Sequence, residues 1–443
     1  MIGIGGIGMS GLARYFKDQG VMVSGYDRVS GPITDKLAAE GIQVHFTPDT
    51  DAIPDDIDLV IYTPAISKDH EEFKFFADKN TPVMKRAEVL KHITEGKFTV
   101  AIAGTHGKTS ISSIIAHLVH QAGKDLNAFI GGIMKNYGSN YLRSGTDGIY
   151  ITEADEYDRS FLNLSPDIAL VSSMDADHLD VYKDKKTMIN GFRQFAGQIK
   201  PGGVLMINRK LSGNFSIYED IFTYSVDGPA DNYISRIKIH AGEFIIDLDL
   251  QGELLKDIHF SIPGRHNLEN AVAAAAVGRE LGLNPHEIRE GLESYQGVYR
   301  RFDIRINTAN LVFIDDYAHH PEEIRACIQA VKEFYPDRKV CGIFQPHLYS
   351  RTRDLSGEFA ASLDQLDEVL LLGIYPAREE PIENVGSELI LNKIKTPNKR
   401  LIDKKDLPDV LDKLDLDILI TMGAGDIEQL VGMIEQQLTD LKK

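Results

Sequence analysis

The sequence predicts an α/β protein of three domains, at residues 1–95, 96–298 and 299–443, and three observations carry that reading. Short apolar, β-rich runs alternate with stretches of helical periodicity through most of the chain. Two glycine-rich loops sit at strand–helix junctions, at Gly3–Gly8 and Gly104–Ser110. A polar cluster follows nearly every apolar strand, as at the carboxyl edge of a parallel sheet, where ligands bind. The first domain reads as Rossmann-like and the second as P-loop ATPase-like with an antiparallel appendage. The third reads as Rossmann-like again, and 443 residues suffice for three domains of ordinary size.

In the first domain Gly3-x-Gly5-x-x-Gly8 opens a helix through Leu12 to Phe16, and Val21–Gly25 reads as the next strand, ending at Asp27. Glycines at that spacing, with an acidic residue about 20 positions on, suit NAD or another diphosphate, or serve tight helix–strand packing with no ligand. Met1 leaves almost no room for the strand that should precede them: either that strand is very short or the chain begins inside it. A later strand, Leu59–Tyr62, ends at Thr63-Pro64-Ala65.

The second domain opens with the buried strand Phe98–Ala103 and the loop Gly104-Thr105-His106-Gly107-Lys108-Thr109-Ser110. Ile111, Ile114, Ile115, Leu118 and Val119 then fall at helical spacing, and Gly123 stops the helix. Such a loop can wrap backbone N–H groups around phosphates, with Lys108 on the terminal phosphates and the Thr109 hydroxyl on a bridging Mg²⁺. The usual pattern wants a glycine at position 102, where this chain has Ile. Two more strands end in acidic clusters, Ile149–Thr152 at Glu153 and Ile168–Val171 near His178. Both should neighbour the phosphate-loop strand, so that Glu153 and His178 could join Thr109 around a metal. Residues 233–262 alternate as in an antiparallel appendage, and the alanine-rich helix Ala271–Leu281 follows.

From Tyr299 the βα rhythm resumes. Its strands end at Asp315-Asp316-Tyr317-Ala318-His319-His320, at Gln345-Pro346-His347, at Tyr375 and at Gly423-Ala424-Gly425-Asp426. Arg300, Arg301, Arg351 and Arg353 are fixed cations suited to carboxylate and phosphate. The histidines lack zinc-motif spacing and read better as polar substrate contacts. Cys327 and Cys341 read as buried and inert, consistent with a reducing compartment.

Composition excludes other classes. No apolar run approaches a membrane span and the start lacks a signal peptide's pattern. A net charge of −18 argues against nucleic-acid binding. The expected setting is the bacterial cytoplasm, without nucleic acid or membrane as partner, as a monomer or weak homodimer.

Nine strings in order resemble the Mur ligase family over essentially the whole chain. They are GIGGIGMSG (Gly3–Gly11), GTHGKTS (Gly104–Ser110), EADEYDRSF (Glu153–Phe161), DADHLD (Asp175–Asp180) and GRHNLEN (Gly264–Asn270), followed by RRFD (Arg300–Asp303), DDYAHHP (Asp315–Pro321), FQPHLYSRTRD (Phe344–Asp354) and GAGDI (Gly423–Ile427). The resemblance implies domains for a UDP-sugar, ATP and an amino acid. It implies ATP-dependent ligation of L-alanine to the lactoyl carboxylate of UDP-N-acetylmuramate through an acyl phosphate, an early step of peptidoglycan synthesis. Gly3, Gly5, Gly6, Gly8, Ser10, Asp27, Thr63 and Ala65 would line the UDP site. Gly104 to Ser110 would hold ATP, with Mg²⁺ or Mn²⁺ on Thr109, Glu153 and His178. Asn267 and Asn270 match adenine contacts, Arg301 a γ-phosphate contact and Asp316 a ribose contact. Tyr317, His347 and Arg351 match the amino-acid pocket, Arg351 pairing the carboxylate.

Lys108, His178, Arg301 and His347 are thus the catalytic candidates, with His347 a candidate base for the amine. Leu348 stands where some relatives carry Arg. Met188–Phe195 has Arg193 and no lysine, so the carbamylated lysine of several sister ligases is not expected. The rival readings are a ligase attaching a tripeptide to the same sugar, an NAD-linked oxidoreductase and a non-catalytic nucleotide sensor.

Overall fold

Ile2 does alone what a whole strand would otherwise do. It forms parallel bridges with Tyr26 on one side and Tyr62 on the other. Its N–H donates to the Ile61 carbonyl at 2.8 Å, and the Gly3 and Ile4 N–H groups donate to Tyr26 O. One residue therefore joins two parallel pairs, Ser24–Tyr26 with Gln43–His45 and Val60–Tyr62 with Val83–Lys85. This computed structural model describes residues 1–441 except 52, 55, 65, 68, 78, 80, 176–183, 217, 219, 220, 241 and 378. Ala65 and His178 lie outside the described residues.

The chain divides into two compact units. The first comprises Met1–Lys238, Ile245–Phe260 and Glu269–Gln296; the second comprises Ile239–Phe244, Ser261–Leu268 and Gly297–Lys443. Within the first unit, helix Ile7–Asp18 lies on the strands Leu126–Met134 and Ser139–Ser144. Met9, Leu12, Ile61, Val89, Phe129, Tyr141 and Tyr150 share one apolar cluster, so the first glycine loop and the central sheet rest on common packing. Buried side chains of this kind each contribute roughly 1.5–3 kcal/mol.

The central sheet has ten strands. Its buried heart is Thr99–Ala103, flanked in parallel by Ile149–Ala154 and Ile168–Val171, the adjacency the sequence led us to expect. Helix Lys108–Gln121 follows, and Ile111, Ile114, Ile115, Leu118 and Val119 are at most 1% exposed. The strands Asn232–His240, Glu243–Leu250 and Glu253–Phe260 are successive neighbours at one edge. Gln251 and Gly252 alone connect the last two, a link too short for a parallel crossover. The group is not detached, however: Asn232–His240 pairs in parallel with Ile221–Ser225 and so extends the main sheet.

The second unit carries a six-stranded sheet. Only Asp303–Asn307 runs antiparallel, against Val312–Asp316. Ile418–Met422 lies between Val312–Asp316 and Val340–Phe344, both parallel to it. The chain leaves Val312–Asp316 through helix Pro321–Phe334 and skips over that central strand. Three carboxyl ends therefore meet where the strand order jumps, the place at which an open α/β sheet forms its crevice. Among the described residues no helix is long and apolar enough to cross a membrane.

Candidate functional site

The loop Gly104–Ser110 is held open by two glycines for which no other residue would serve. Gly104 has φ +138°, and a Cβ there would stand 2.1 Å from Ser172 Oγ. Gly107 has φ +86°, and a Cβ there would stand 2.7 Å from Asn270 Oδ1. The loop is tied to the segment after the Ile168–Val171 strand. Ser173 Oγ accepts from His106 N at 2.8 Å and bonds Thr105 Oγ1 at 2.9 Å, and Ser172 Oγ donates to His106 O. The helix N-terminus at Lys108 then adds positive potential to a loop already fixed in shape.

Lys108 Nζ donates to Gly104 O at 2.7 Å and to Glu156 Oε2 at 2.6 Å. Burial works against its charge, but the carboxylates of Glu156, Asp155 and Glu153 outweigh it and hold the ammonium above its ordinary range. Glu153 is fixed separately. Its Oε1 accepts from Gly131 N at 2.6 Å, and Ser112 Oγ lies 3.4 Å away. Ser112 is three residues after Thr109 and so on the same helix face. The site thus offers hard oxygen donors, a hydroxyl and a carboxylate, of the kind magnesium takes. Anionic phosphates brought beside these carboxylates need a cation to offset the repulsion, so the residues fit a divalent ion. Among the described residues no group of three or more His, Cys, Asp or Glu side chains gathers as a metal site.

At the first glycine loop Asp27 Oδ2 accepts from Gly5 N at 2.8 Å and its Oδ1 from Val29 N at 3.3 Å. Thr63 closes over the loop, since a Cβ on Gly3 would stand 2.5 Å from its methyl group. Gly6 and Gly8 open the helix, and Arg86 lies 3.0 Å from where a Gly8 Cβ would be. Ser10 is fully buried: its hydroxyl donates to Ile7 O at 3.0 Å and accepts from Asn140 Nδ2 at 3.0 Å. Asn140 also accepts from Arg14, which pairs with Glu40 at 2.8 Å.

In the second unit Arg300 and Arg301 lie over the ring of Tyr317, 5.1 and 5.0 Å from its centroid. Arg300 is a structural knot, donating to Asp315, Glu428 and Gly423 O. Arg301 has no such hydrogen bonds within the described residues. Asp316 accepts from Phe302 N at 2.6 Å and Ala318 N at 2.7 Å; burial pushes its carboxyl up to about 6, against the pull of Arg301. These bonds pin the Arg300–Phe302 turn, where Arg300 and Phe302 both have positive φ.

His347 follows Val340–Phe344 and stacks on Tyr375 with centroids 5.7 Å apart. Leu348 has φ +71° and starts helix Tyr349–Leu363, which carries Arg351 in its first turn. Glu379 caps that helix through Ser350 N at 2.9 Å. Gln345 leaves no room for a Cβ at Gly423 or Gly425, and its side chain donates to Asp426 at 2.8 Å and accepts from Ile427 N at 2.9 Å. Asn267 belongs to this unit and donates to Pro263 O at 2.7 Å, whereas Asn270 lies against Gly107 in the first. Arg193 Nε donates to Asn214 O at 2.7 Å.

Sequence reasoning missed Glu156, Gly131, Ser112, Ser172, Ser173, Asn140 and Glu379, and named Tyr375 only as the end of a strand. Glu156 had a usable signal, being the third acid of the cluster Glu153-Ala154-Asp155-Glu156. Ser112 lies one helical turn beyond Thr109, and the rest act through contacts distant in sequence.

Three domain models match in order. They are the Mur ligase family catalytic domain over 1–98, the Mur ligase middle domain over 102–278 and the Mur ligase glutamate ligase domain over 300–425. The chain is 45% identical to a UDP-N-acetylmuramate–L-alanine ligase of Christiangramia forsetii, over 99% of this chain and 96% of that protein. It is 46% identical to one of Flavobacterium psychrophilum, over 99% and 97%. The crystal structure of UDP-N-acetylmuramate–alanine ligase from Thermotoga maritima superposes with a TM-score of 0.85 at 27% identity, covering 99% of this chain and 98% of that one. A murein peptide ligase from Psychrobacter arcticus shares the fold, with a TM-score of 0.71 at 21% identity, over 99% and 98%.

Proposed function

The chain belongs to the Mur ligase family, and from that premise we infer an ATP-dependent, ADP-forming ligase that joins L-alanine to the lactoyl carboxylate of UDP-N-acetylmuramate in peptidoglycan synthesis. The observation that carries this reading is identity of about 45% over nearly the whole chain to ligases of that name. The fold likeness to the murein peptide ligase comes at 21% identity, so the single amino acid is favoured over a tripeptide.

A carboxylate and an ammonium at neutral pH form a salt and do not condense. The carboxylate must first take the γ-phosphoryl group of ATP, and bringing two anions together calls for cations. Lys108 stands ready for the β- and γ-phosphates, already charged against Glu156. Arg301 would meet the γ-phosphate and the acyl phosphate formed from it. A divalent ion on Thr109 and Glu153, with His178 as a further ligand, would neutralise phosphate oxygens. Gly3 to Gly8 and Thr63 would hold the UDP diphosphate, with Asp27 fixing the loop. Asn270 and Asn267 would receive the adenine. Tyr317, His347 and Arg351 would seat the amino acid, Arg351 on its carboxylate. A monomer or weak homodimer in the cytoplasm, where UDP-sugars and ATP are available, is the setting we assign to it.

The test is ADP release with UDP-N-acetylmuramate against L-alanine, glycine, L-serine and a cell-wall tripeptide. Release with L-alanine is expected. Release with the tripeptide alone, or with none of them, would overturn the assignment.

A further inference from the structure

Ligation needs one more group: the ammonium of the incoming amino acid must lose a proton before nitrogen can attack. We propose that His319 is the base that takes this proton, an inference resting on the ligase reading above.

The geometry fixes the tautomer. His319 Nδ1 lies 3.1 Å from Tyr317 O and 3.3 Å from Glu323 Oε2. Both neighbours are acceptors, so Nδ1 must carry hydrogen and Nε2 is left with a lone pair. Glu323 is itself held by the N–H groups of His319 and His320 at 3.0 and 3.2 Å, so carboxylate and ring move as one. A carboxylate behind Nδ1 orients the ring and stabilises the imidazolium that forms, the arrangement of His-based catalysis generally.

Position supports the role. Tyr317 and His347 meet the His319 ring edge-on, with centroids 5.2 and 6.0 Å away. The groups acting on its charge are Glu323 on helix Pro321–Phe334, Arg351 on helix Tyr349–Leu363, the Tyr317 carbonyl beside it and Arg301 from the turn before the sheet. The ring therefore stands within electrostatic reach of both arginines. Arg351 is assigned to the amino-acid carboxylate and Arg301 to the acyl phosphate, and the amine must travel between those two points. The side chain is 19% exposed, open enough to meet a ligand. Burial, the largest influence, and the two arginines depress its basicity, while Glu323 and the carbonyl oppose them. It is thus neutral and able to accept at pH 7.

The step balances. Nε2 takes one proton from the ammonium and the nitrogen lone pair forms the C–N bond at the acyl carbon. The C–O bond to phosphate then breaks, and phosphate departs with the electron pair and the second amine proton. The imidazolium returns its proton to solvent.

His319→Asn tests the role. An Asn amide can replace the Nδ1–H donor to Tyr317 O but has nothing at the Nε2 position. Alanine-dependent ADP release should fall on the order of 10²–10⁴-fold in kcat, with little change in alanine KM. The residual rate should keep rising with pH where the wild type levels off. Hydroxylamine, already neutral at pH 7, needs no base, so hydroxamate formation should stay at the wild-type rate. A kcat within tenfold of wild type with an unchanged pH profile overturns the proposal, as does equal loss with both nucleophiles. Should that variant not fold, Glu323→Gln keeps the imidazole and removes its carboxylate. The acid limb of kcat/KM should then move to lower pH, and an unmoved limb overturns the proposal. Wild-type enzyme inert toward L-alanine would instead refute the ligase reading beneath it.

Discussion

Lys108 Nζ lies 2.6 Å from Glu156 Oε2, and the two side chains are 16% and 1% exposed. This pair occupies the phosphate loop's only lysine with an internal counter-charge. Removing one member strands the other inside the protein, which typically costs about 3–5 kcal/mol. Lys108→Met and Glu156→Gln should each destabilise the first unit, and the double variant should lose less than the two singles added together. Urea unfolding of all four proteins measures the coupling; strictly additive losses would show that the pair is not energetically joined. ADP release should vanish with Lys108→Met, which also separates an enzyme from a nucleotide sensor.

Gly131 is the neighbour that keeps Glu153 in place. A Cβ there would stand 2.6 Å from both carboxylate oxygens, and the Gly131 N–H holds one of them at 2.6 Å. The carboxylate is the end of a flexible side chain, so in Gly131→Ala it should swing aside and leave the backbone in position. Disturbing a ligand's orienting partner typically weakens metal binding about 10–100-fold. The Mg²⁺ concentration giving half-maximal ADP release should rise by that order, and Mn²⁺ binding followed by electron paramagnetic resonance should weaken in parallel. An unaltered Mn²⁺ affinity would remove Glu153 from the metal's ligands.

Asn140 reaches from the central sheet to the first glycine loop's helix, bonding Ile7 O, Ser10 Oγ and Arg14. Asn140→Leu leaves the buried Arg14 one acceptor short, an effect of about 3 kcal/mol for a charged donor. The same change frees the start of helix Ile7–Asp18, so KM for the UDP-sugar should rise while KM for ATP holds. Thermal unfolding and the two KM values read these effects separately, and equal shifts in both KM values would speak against a local role.

What the sequence revealed follows from what is local in a chain. Gly104, Gly107 and Lys108 are legible because a loop, its strand and its helix are contiguous, and the strand order around Thr99–Ala103 followed from buried apolar runs. The partners that fix the loop are not contiguous: Glu156, Ser173 and Gly131 arrive through neighbouring strands, which spacing does not encode. Ile2 shows the opposite limit, since a one-residue bridge gives no periodic signal. His319 was visible as a polar residue after a strand, but its tautomer depends on Tyr317 O and Glu323, and only geometry shows that.

His117 links the phosphate-loop helix to the end of the first unit and makes stability depend on pH. It is 1% exposed, with Nδ1 2.7 Å from Tyr137 Oη and Nε2 3.0 Å from Ser294 Oγ. Burial first, then the neighbouring His120, pushes its imidazole down to about 4. The folded pKa therefore lies below the unfolded value of about 6.5. The resulting stability is complete above that value and is lost as pH falls from 6.5 to 4, because only the unfolded chain binds the proton there. A gap of that size corresponds to about 3 kcal/mol. His266, also depressed to about 4 mainly by burial, acts in the same direction. Asp316, raised to about 6, acts in the opposite one, favouring the fold as its carboxyl protonates. His117→Gln keeps a donor and an acceptor for the two hydroxyls and removes the titration. The unfolding free energy of this variant should fall less steeply than that of the wild type between pH 6.5 and 4, with the curves parallel above pH 7. Identical slopes throughout would show that His117 is protonated without loss inside the fold. Because the same helix begins at Lys108 and Thr109, amide-exchange protection along it, taken relative to the intrinsic rate at each pH, should also fall with acid in the wild type and fall less in the variant.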